Sequence, residues 1–271
     1  MKQDKAQKEI NTRVGVLAVA DQGSGTPVVF WPSLFSDHHL FDSVVAGLGD
    51  GWRTIRIDGP GFGNSSPQSA GEKPEIYAEA VFDVLDSFEI DRAILAGCSW
   101  GGQVVLHAGV KAPERAIGVL AMNTPLGPSI GGQFMKIYGT RMFGSTKFWG
   151  QGVARSMVAP DFTKSRPDAV DGFVSRFTEF DAKAASSTVR RVMTQFPGMA
   201  DVLPRIQVPT VVLMGAEDRL YPVEEMQKFA DLSDNARIEV IPKCGHLAPL
   251  EAPEAVCAAV RQLSLHPLNG A

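Results

Sequence analysis

The stretch Ala93-Ile94-Leu95-Ala96-Gly97-Cys98-Ser99-Trp100-Gly101-Gly102 decides how this chain is read. Ala93 to Ala96 form a short apolar strand of the kind buried on both faces, and Gly101 to Val110 reads as a helix. Between them the pattern Gly-x-Ser-x-Gly reverses the chain sharply, with small residues on either side so that the turn closes without side-chain clashes. Ser99 at the apex is expected in a strained backbone conformation, its hydroxyl lifted above the sheet at a helix N-terminus that favours developing negative charge. A plain glycine turn could carry the same five residues; placement between strand and helix favours a nucleophile.

A serine hydroxyl is a poor nucleophile unless a base lies within hydrogen-bond reach and a third group orients that base. Downstream, Thr210-Val211-Val212-Leu213-Met214 reads as a buried strand followed by Gly215-Ala216-Glu217-Asp218. An acid just past the C-terminal end of a parallel strand lies where such sheets hold ligands. Asp218 is favoured over Glu217 because the Gly-x-x-Asp spacing sets it at the inward position of the turn; the competing reading is a turn former or helix cap. The strand from Arg237 to Ile241 runs into Pro242-Lys243-Cys244-Gly245-His246-Leu247. A histidine after a glycine in such a loop can project into a cleft, whereas His107 falls inside a helix and His266 near the C-terminal tail. Ser99, Asp218 and His246 are therefore the candidate catalytic residues, in the chain order that this chemistry uses on sheets of this kind.

Working outward, apolar strands alternate with helical stretches. Thr12 to Ala20 is β-rich and Asp21 to Gly25 reads as a turn; Val28 to Trp31, Arg53 to Ile57 and Ile117 to Met122 are strands. Leu40 to Leu48, Pro74 to Phe88, Val223 to Ala230 and Pro253 to Leu263 read as helices. This alternation predicts an α/β fold, a mostly parallel sheet flanked by helices with right-handed crossovers. From Pro125 to Leu203 no buried strand stands out, yet large apolar residues abound, among them Phe134, Met135, Phe148, Phe173, Phe177 and Phe180. That density argues against a disordered linker. The expected organisation is a core of residues 1–124 and 204–271 interrupted by a helical cap at 125–203.

Composition excludes several classes. A formal net charge of −4, with lysines and arginines scattered, argues against nucleic acid as a partner. No apolar run is long enough to span a bilayer, and the opening MKQDKAQKEI has no apolar core of a secretory signal, so a cytoplasmic protein without a membrane partner is expected. Three cysteines suggest no disulfide framework. The pair His38-His39 stands without a His-Glu-x-x-His helix or a Cys-x-x-Cys, so it reads as a solvated loop, and no metal is expected.

Together with Asp58-Gly59-Pro60-Gly61-Phe62-Gly63-Asn64-Ser65, these motifs resemble the α/β-hydrolase superfamily over nearly the whole chain, with Pro125 to about Leu203 in place of its variable cap. Within it the chain looks most like the group of 3-oxoadipate enol-lactonases, small esterases, cofactor-free haloperoxidases and carbon–carbon bond hydrolases. The resemblance implies acyl transfer in two steps, with no cofactor. That family commonly has His-Gly after the third strand; here Pro32-Ser33 stands in its place, and proline has no N–H. This leaves the backbone N–H of Leu34 as one oxyanion donor, with Ser33 the neighbouring alternative, and that of Trp100 as the other. Asp58 is expected to tie down its own turn, and Cys98 to act as a small buried hydrophobe. Ser33, Phe35, Tyr138, Met142, Phe143, Trp149 and Leu247 are the expected substrate contacts in an apolar pocket. Arg190 and Arg191 read as a solvated helix face or, secondarily, as a grip on a substrate carboxylate. The expected activity is hydrolysis of a carboxylic ester or lactone of a small, mostly apolar molecule. Carbon–carbon bond hydrolysis is the second reading, disfavoured by Leu247 where that group often carries tryptophan, and a triad-bearing small-molecule receptor is the third.

Overall fold

The computed structural model describes residues 7–68, 73–125, 133–195, 199–224 and 232–265. Eight strands build one sheet: β1 (Lys8–Thr12), β2 (Gly15–Gly23), β3 (Thr26–Trp31), β4 (Trp52–Ile57), β5 (Ala93–Cys98), β6 (Ala116–Met122), β7 (Thr210–Gly215) and β8 (Ala236–Ile241). Their order is β1-β2-β4-β3-β5-β6-β7-β8. β2 pairs antiparallel with β1 and β4; every other pairing is parallel. The α/β expectation is met.

Several central strands read as nearly continuous apolar runs because helices cover both faces. β5 and β7 are buried at every residue. α1 (Asp42–Leu48) and the C-terminal helix Pro253–Ser264 pack together, as do α2 (Pro74–Ser87) and α3 (Trp100–Lys111). α2 turns Tyr77, Val81, Val84 and Leu85 inward at helical spacing. Each such aliphatic side chain, fully withdrawn from water, contributes roughly 1.5–3 kcal/mol.

The N-terminal reading needs correction. Thr12 to Ala20 is not one strand but spans a hairpin in which Thr12 pairs with Gly15. β1, KEINT, is an edge strand whose charged and polar residues carry no buried alternation, so its pattern is silent. The expected turn at Asp21 to Gly25 is shorter than read, because Asp21, Gln22 and Gly23 pair with Ile55, Thr54 and Arg53. The helix expected at Val223 to Ala230 lies largely outside the described residues, as does His266.

Between β6 and β7 the described residues are mainly helical: α4 (Gln133–Phe143), α5 (Lys147–Met157), α6 (Pro160–Ser165), α7 (Pro167–Phe177) and α8 (Ala182–Gln195). This insertion lies over the strand ends. Phe177 stacks on Phe35 after β3, and Thr188 donates to the Pro60 carbonyl after β4 at 2.8 Å. Among the described residues, no helix is long and apolar enough to cross a membrane.

Strand order locates the cleft. The chain steps outward from β3 to β4, then returns past β3 to β5, so a crevice opens above the C-terminal ends of β3 and β5. Every loop bearing a candidate residue leaves the sheet at that edge.

Candidate active site

The serine turn is held by close backbone approach. Ser99 sits at φ 55°, ψ −116°, a region that L-residues rarely occupy. Its N–H donates to the Met122 carbonyl at 2.7 Å, and its own carbonyl accepts from Gly102 and Gln103 to open α3. A Cβ on Gly97 would lie 2.1 Å from the Gly101 carbonyl oxygen, and one on Gly101 would lie 2.2 Å from that of Trp31. The glycines around Ser99 are therefore required by contact between chain segments, and the surrounding structure over-determines the strained serine.

The same device joins the other two loops. β7 and β8 run in register, Gly215 opposite Ile241. A Cβ on Gly215 would sit 2.0 Å from the Gly245 carbonyl oxygen, so only glycine lets the loop of Asp218 lie against the loop of His246. The result is a continuous line of three side chains. His246 Nδ1 lies 2.8 Å from Asp218 Oδ2, and His246 Nε2 lies 2.8 Å from Ser99 Oγ. All three are buried.

Electrostatics orders the protons. Burial pushes the Asp218 carboxyl upward, but His246 and the N–H groups of Leu220 and Tyr221 outweigh it and hold its pKa below the ordinary value. An ionised carboxylate only accepts, so Nδ1 carries the imidazole proton and Nε2 is left to accept from the Ser99 hydroxyl. Asp218 Oδ1 takes Leu220 N at 2.9 Å and Tyr221 N at 3.1 Å, which fixes the carboxylate with Oδ2 facing the histidine.

Asn123, at the end of β6, is a participant that the sequence reading passed over. Its amide donates to Asp218 Oδ2 at 3.1 Å and to the Gly245 carbonyl at 2.9 Å, while its oxygen accepts from Ala248 N at 3.3 Å. The side chain is fully buried and stitches the acid loop to the histidine loop. Its one sequence signal is a polar residue directly after the apolar run Ile117 to Met122.

A sequence profile of the alpha/beta hydrolase family matches residues 23–259. The chain belongs to that family. It is 27% identical to a 2-hydroxy-6-oxononadienedioate/2-hydroxy-6-oxononatrienedioate hydrolase of a Pseudomonas species, over 92% of this chain and 90% of that protein. A solved esterase from Thermogutta terrifontis superposes with a TM-score of 0.83 at 24% identity, covering 94% of this chain and 97% of the other. An enol-lactonase from Burkholderia xenovorans superposes with a TM-score of 0.83 at 20% identity, covering 93% and 97%.

Within this family fold the remaining expected residues divide into buried and exposed. Leu34 lies beside the serine turn, because β3 and β5 pair with Trp31 opposite Gly97. Among the described residues its N–H donates to no protein acceptor. Ser33 is buried, and its hydroxyl has no hydrogen-bond partner among the described residues. Trp100 opens α3, with its ring packed edge-on against Trp31 and Tyr77. Phe35 contacts Phe62 and Phe177, and Leu247 is fully buried.

Tyr138, Met142 and Phe143 are 62%, 75% and 41% exposed, on the outer part of the insertion. Trp149 is half-buried beneath Gly139 and stacks on Phe143. The aromatic side chains that do reach toward the strand ends are Phe177 and Phe180, which touch Phe35 and Phe62. The side chains of Phe134 and Met135 lie outside the described ones. Arg190 is exposed, while Arg191 is half-buried near Tyr77.

The expectation of a solvated His38-His39 pair fails at His38, which is buried with Nδ1 2.8 Å from Asp58 Oδ1. Asp58 also accepts from the backbone of His38 at 2.8 Å and of Asn64 at 2.9 Å, so it ties the loop after β3 to its own turn. Burial pushes the Cys98 thiol well above its ordinary pKa, as for a packed hydrophobe rather than a reactive thiolate.

Proposed function

We propose that this chain is a serine hydrolase that cleaves a carboxylic ester or lactone of a small, mostly apolar substrate. The observation that carries this reading is the unbroken line Ser99–His246–Asp218, with both contacts at 2.8 Å. His246 Nε2 takes the proton as Ser99 Oγ attacks the carbonyl carbon. The oxyanion forms between the backbone N–H groups of Trp100 and Leu34, with the N–H of Ser33 the alternative to that of Leu34. The imidazolium, paired with Asp218, returns the proton to the departing alkoxide, and water activated by His246 then releases the acid. Each oxyanion donor is worth about 3 kcal/mol of transition-state stabilisation. No cofactor takes part in this scheme. Residues 125–203 act as the cap over this edge of the sheet, and the wall around Phe35 supplies apolar contact for the substrate.

The test is turnover of an activated short-chain ester. Multiple turnovers by the parent enzyme and their loss in Ser99→Ala support the reading; binding without turnover, unchanged by that substitution, points to a receptor instead.

The likeness to the Pseudomonas hydrolase favours a second reading, carbon–carbon bond cleavage in a ring-cleavage product. Leu247 in place of an aromatic residue after the histidine disfavours it. A side-by-side kcat/KM comparison of a simple ester with a vinylogous 1,5-diketone decides: preference for the ester keeps the first reading, and preference for the diketone replaces it.

A further inference from the structure

We infer that Glu251 is a positioning residue, one that bolts the loop of His246 to the helical insertion and so makes the α5–α6 junction part of the catalytic scaffold. The inference rests on the Ser99–His246–Asp218 reading and concerns what holds the imidazole in place. Glu251 ends the short helix Ala248–Glu251, and no step of the proposed mechanism uses it. Its carboxylate accepts three backbone N–H groups: Gly245 at 2.9 Å and Ala159 at 2.7 Å on Oε2, and Leu247 at 3.0 Å on Oε1. Gly245 and Leu247 are the two neighbours of His246, so one carboxylate brackets the base. The third donor, Ala159, belongs to the insertion.

The remaining contacts converge on the same junction. The N–H of His246 itself donates to the Met157 carbonyl at 2.6 Å. A Cβ on Gly245 would lie 2.5 Å from Ala159 N, so the two segments touch through bare backbone. From the acid side, Arg219, next to Asp218 in the chain, donates to the carbonyls of Arg155 at 2.6 Å and Val158 at 3.0 Å. Residues 155–159 are thus gripped at once by the loop of the base and the loop of the acid. All three partners are donors, so both oxygens of Glu251 act as acceptors, as a carboxylate's do. Burial pushes this carboxyl's pKa above its ordinary value, and the three N–H groups oppose that rise. Hydrogen bonds to an ionised acceptor are about twice as strong as neutral ones, which suits a clamp.

A glutamine at 251 keeps the shape but offers a single acceptor oxygen, so at least one of the three N–H groups loses its partner. A misplacement of the base by about 1 Å can cost a hundredfold in rate. Glu251→Gln is therefore expected to lower kcat for the activated ester by about tenfold to a hundredfold while KM stays within about twofold. Labelling of Ser99 by an organophosphate should slow by the same factor. Arg219→Gln, which loosens the junction from the more exposed side, is expected to lower kcat about threefold to tenfold with KM again held.

Thermal unfolding of each variant is recorded alongside, and rates are compared only well below its melting temperature. If Glu251→Gln does not fold, the Arg219→Gln result decides. Wild-type protein that turns over no ester would defeat the hydrolase reading. Active wild type with a folded Glu251→Gln of equal kcat, or with a loss confined to KM, overturns the positioning role alone.

Discussion

The strand-end loops and the outer part of the insertion are packed by opposite rules. At the strand ends, Gly97, Gly101, Gly215 and Gly245 bring backbone against backbone so closely that a Cβ on any of them would fall within 2.5 Å of a neighbouring main-chain atom. At the α4–α5 hairpin, Met142 and Phe148 are 75% and 73% exposed. The first region has one solution and holds a strained serine; the second has few contacts to constrain its side chains. Strained backbone persists only where neighbours over-determine it, and an exposed hairpin carries no such constraint.

That contrast breaks most visibly at Asp218. Asp218→Asn preserves the packing but turns Oδ2 into a donor, so Nδ1 of His246 would have to accept and Nε2 would carry the proton. The expected outcome is a fall in kcat of about 10⁴-fold in a protein that still folds, with a lowered melting temperature because the new amide faces the donor of Asn123. A drop of only a few fold would mean that the acid does not set the tautomer.

Smaller in free energy, but still large for a single methyl group, is Gly97→Ala. The added carbon meets the Gly101 carbonyl, which is backbone and cannot swing aside. Denaturant titration should show a loss of about 3 kcal/mol. Unfolding at the parent midpoint would refute close approach as the reason for the glycine.

The gentlest changes belong to the other region. Met142→Ser and Phe148→Ser are expected to leave stability within about 0.5 kcal/mol, since the side chains are already in water. Should KM for an apolar ester rise in Met142→Ser while kcat holds, the hairpin contacts substrate; no change in KM assigns the pocket wall to Phe35 and its partners instead.

What could be read from the residues follows the same division. Ser99, Asp218 and His246 were legible as candidates because each follows a strand-like stretch in a glycine-containing turn, a pattern that residue types alone carry. β5, β7 and their neighbours announced themselves as buried runs, and the helices of the insertion by the weight of apolar residues among polar ones. The edge strand β1 was silent because half of it faces solvent with charged residues. His38 read as solvated because its partner, Asp58, lies 20 positions away and meets it only when two loops close. Asn123 and Glu251 escaped for a related reason: each joins segments far apart in the chain, Asn123 to the loops of Asp218 and Gly245 and Glu251 to Ala159, and the nearer bonds of Glu251 go to backbone N–H groups that no residue type encodes.

The most direct test of the account is the site and rate of modification by a serine-directed organophosphate, mapped by peptide mass spectrometry. One adduct per chain on Ser99, absent in Ser99→Ala and slowed about a thousandfold or more in His246→Ala, is the predicted result. An intact, folded protein that takes up no label at Ser99, or takes it up equally fast without the imidazole, would contradict a hydroxyl activated by His246.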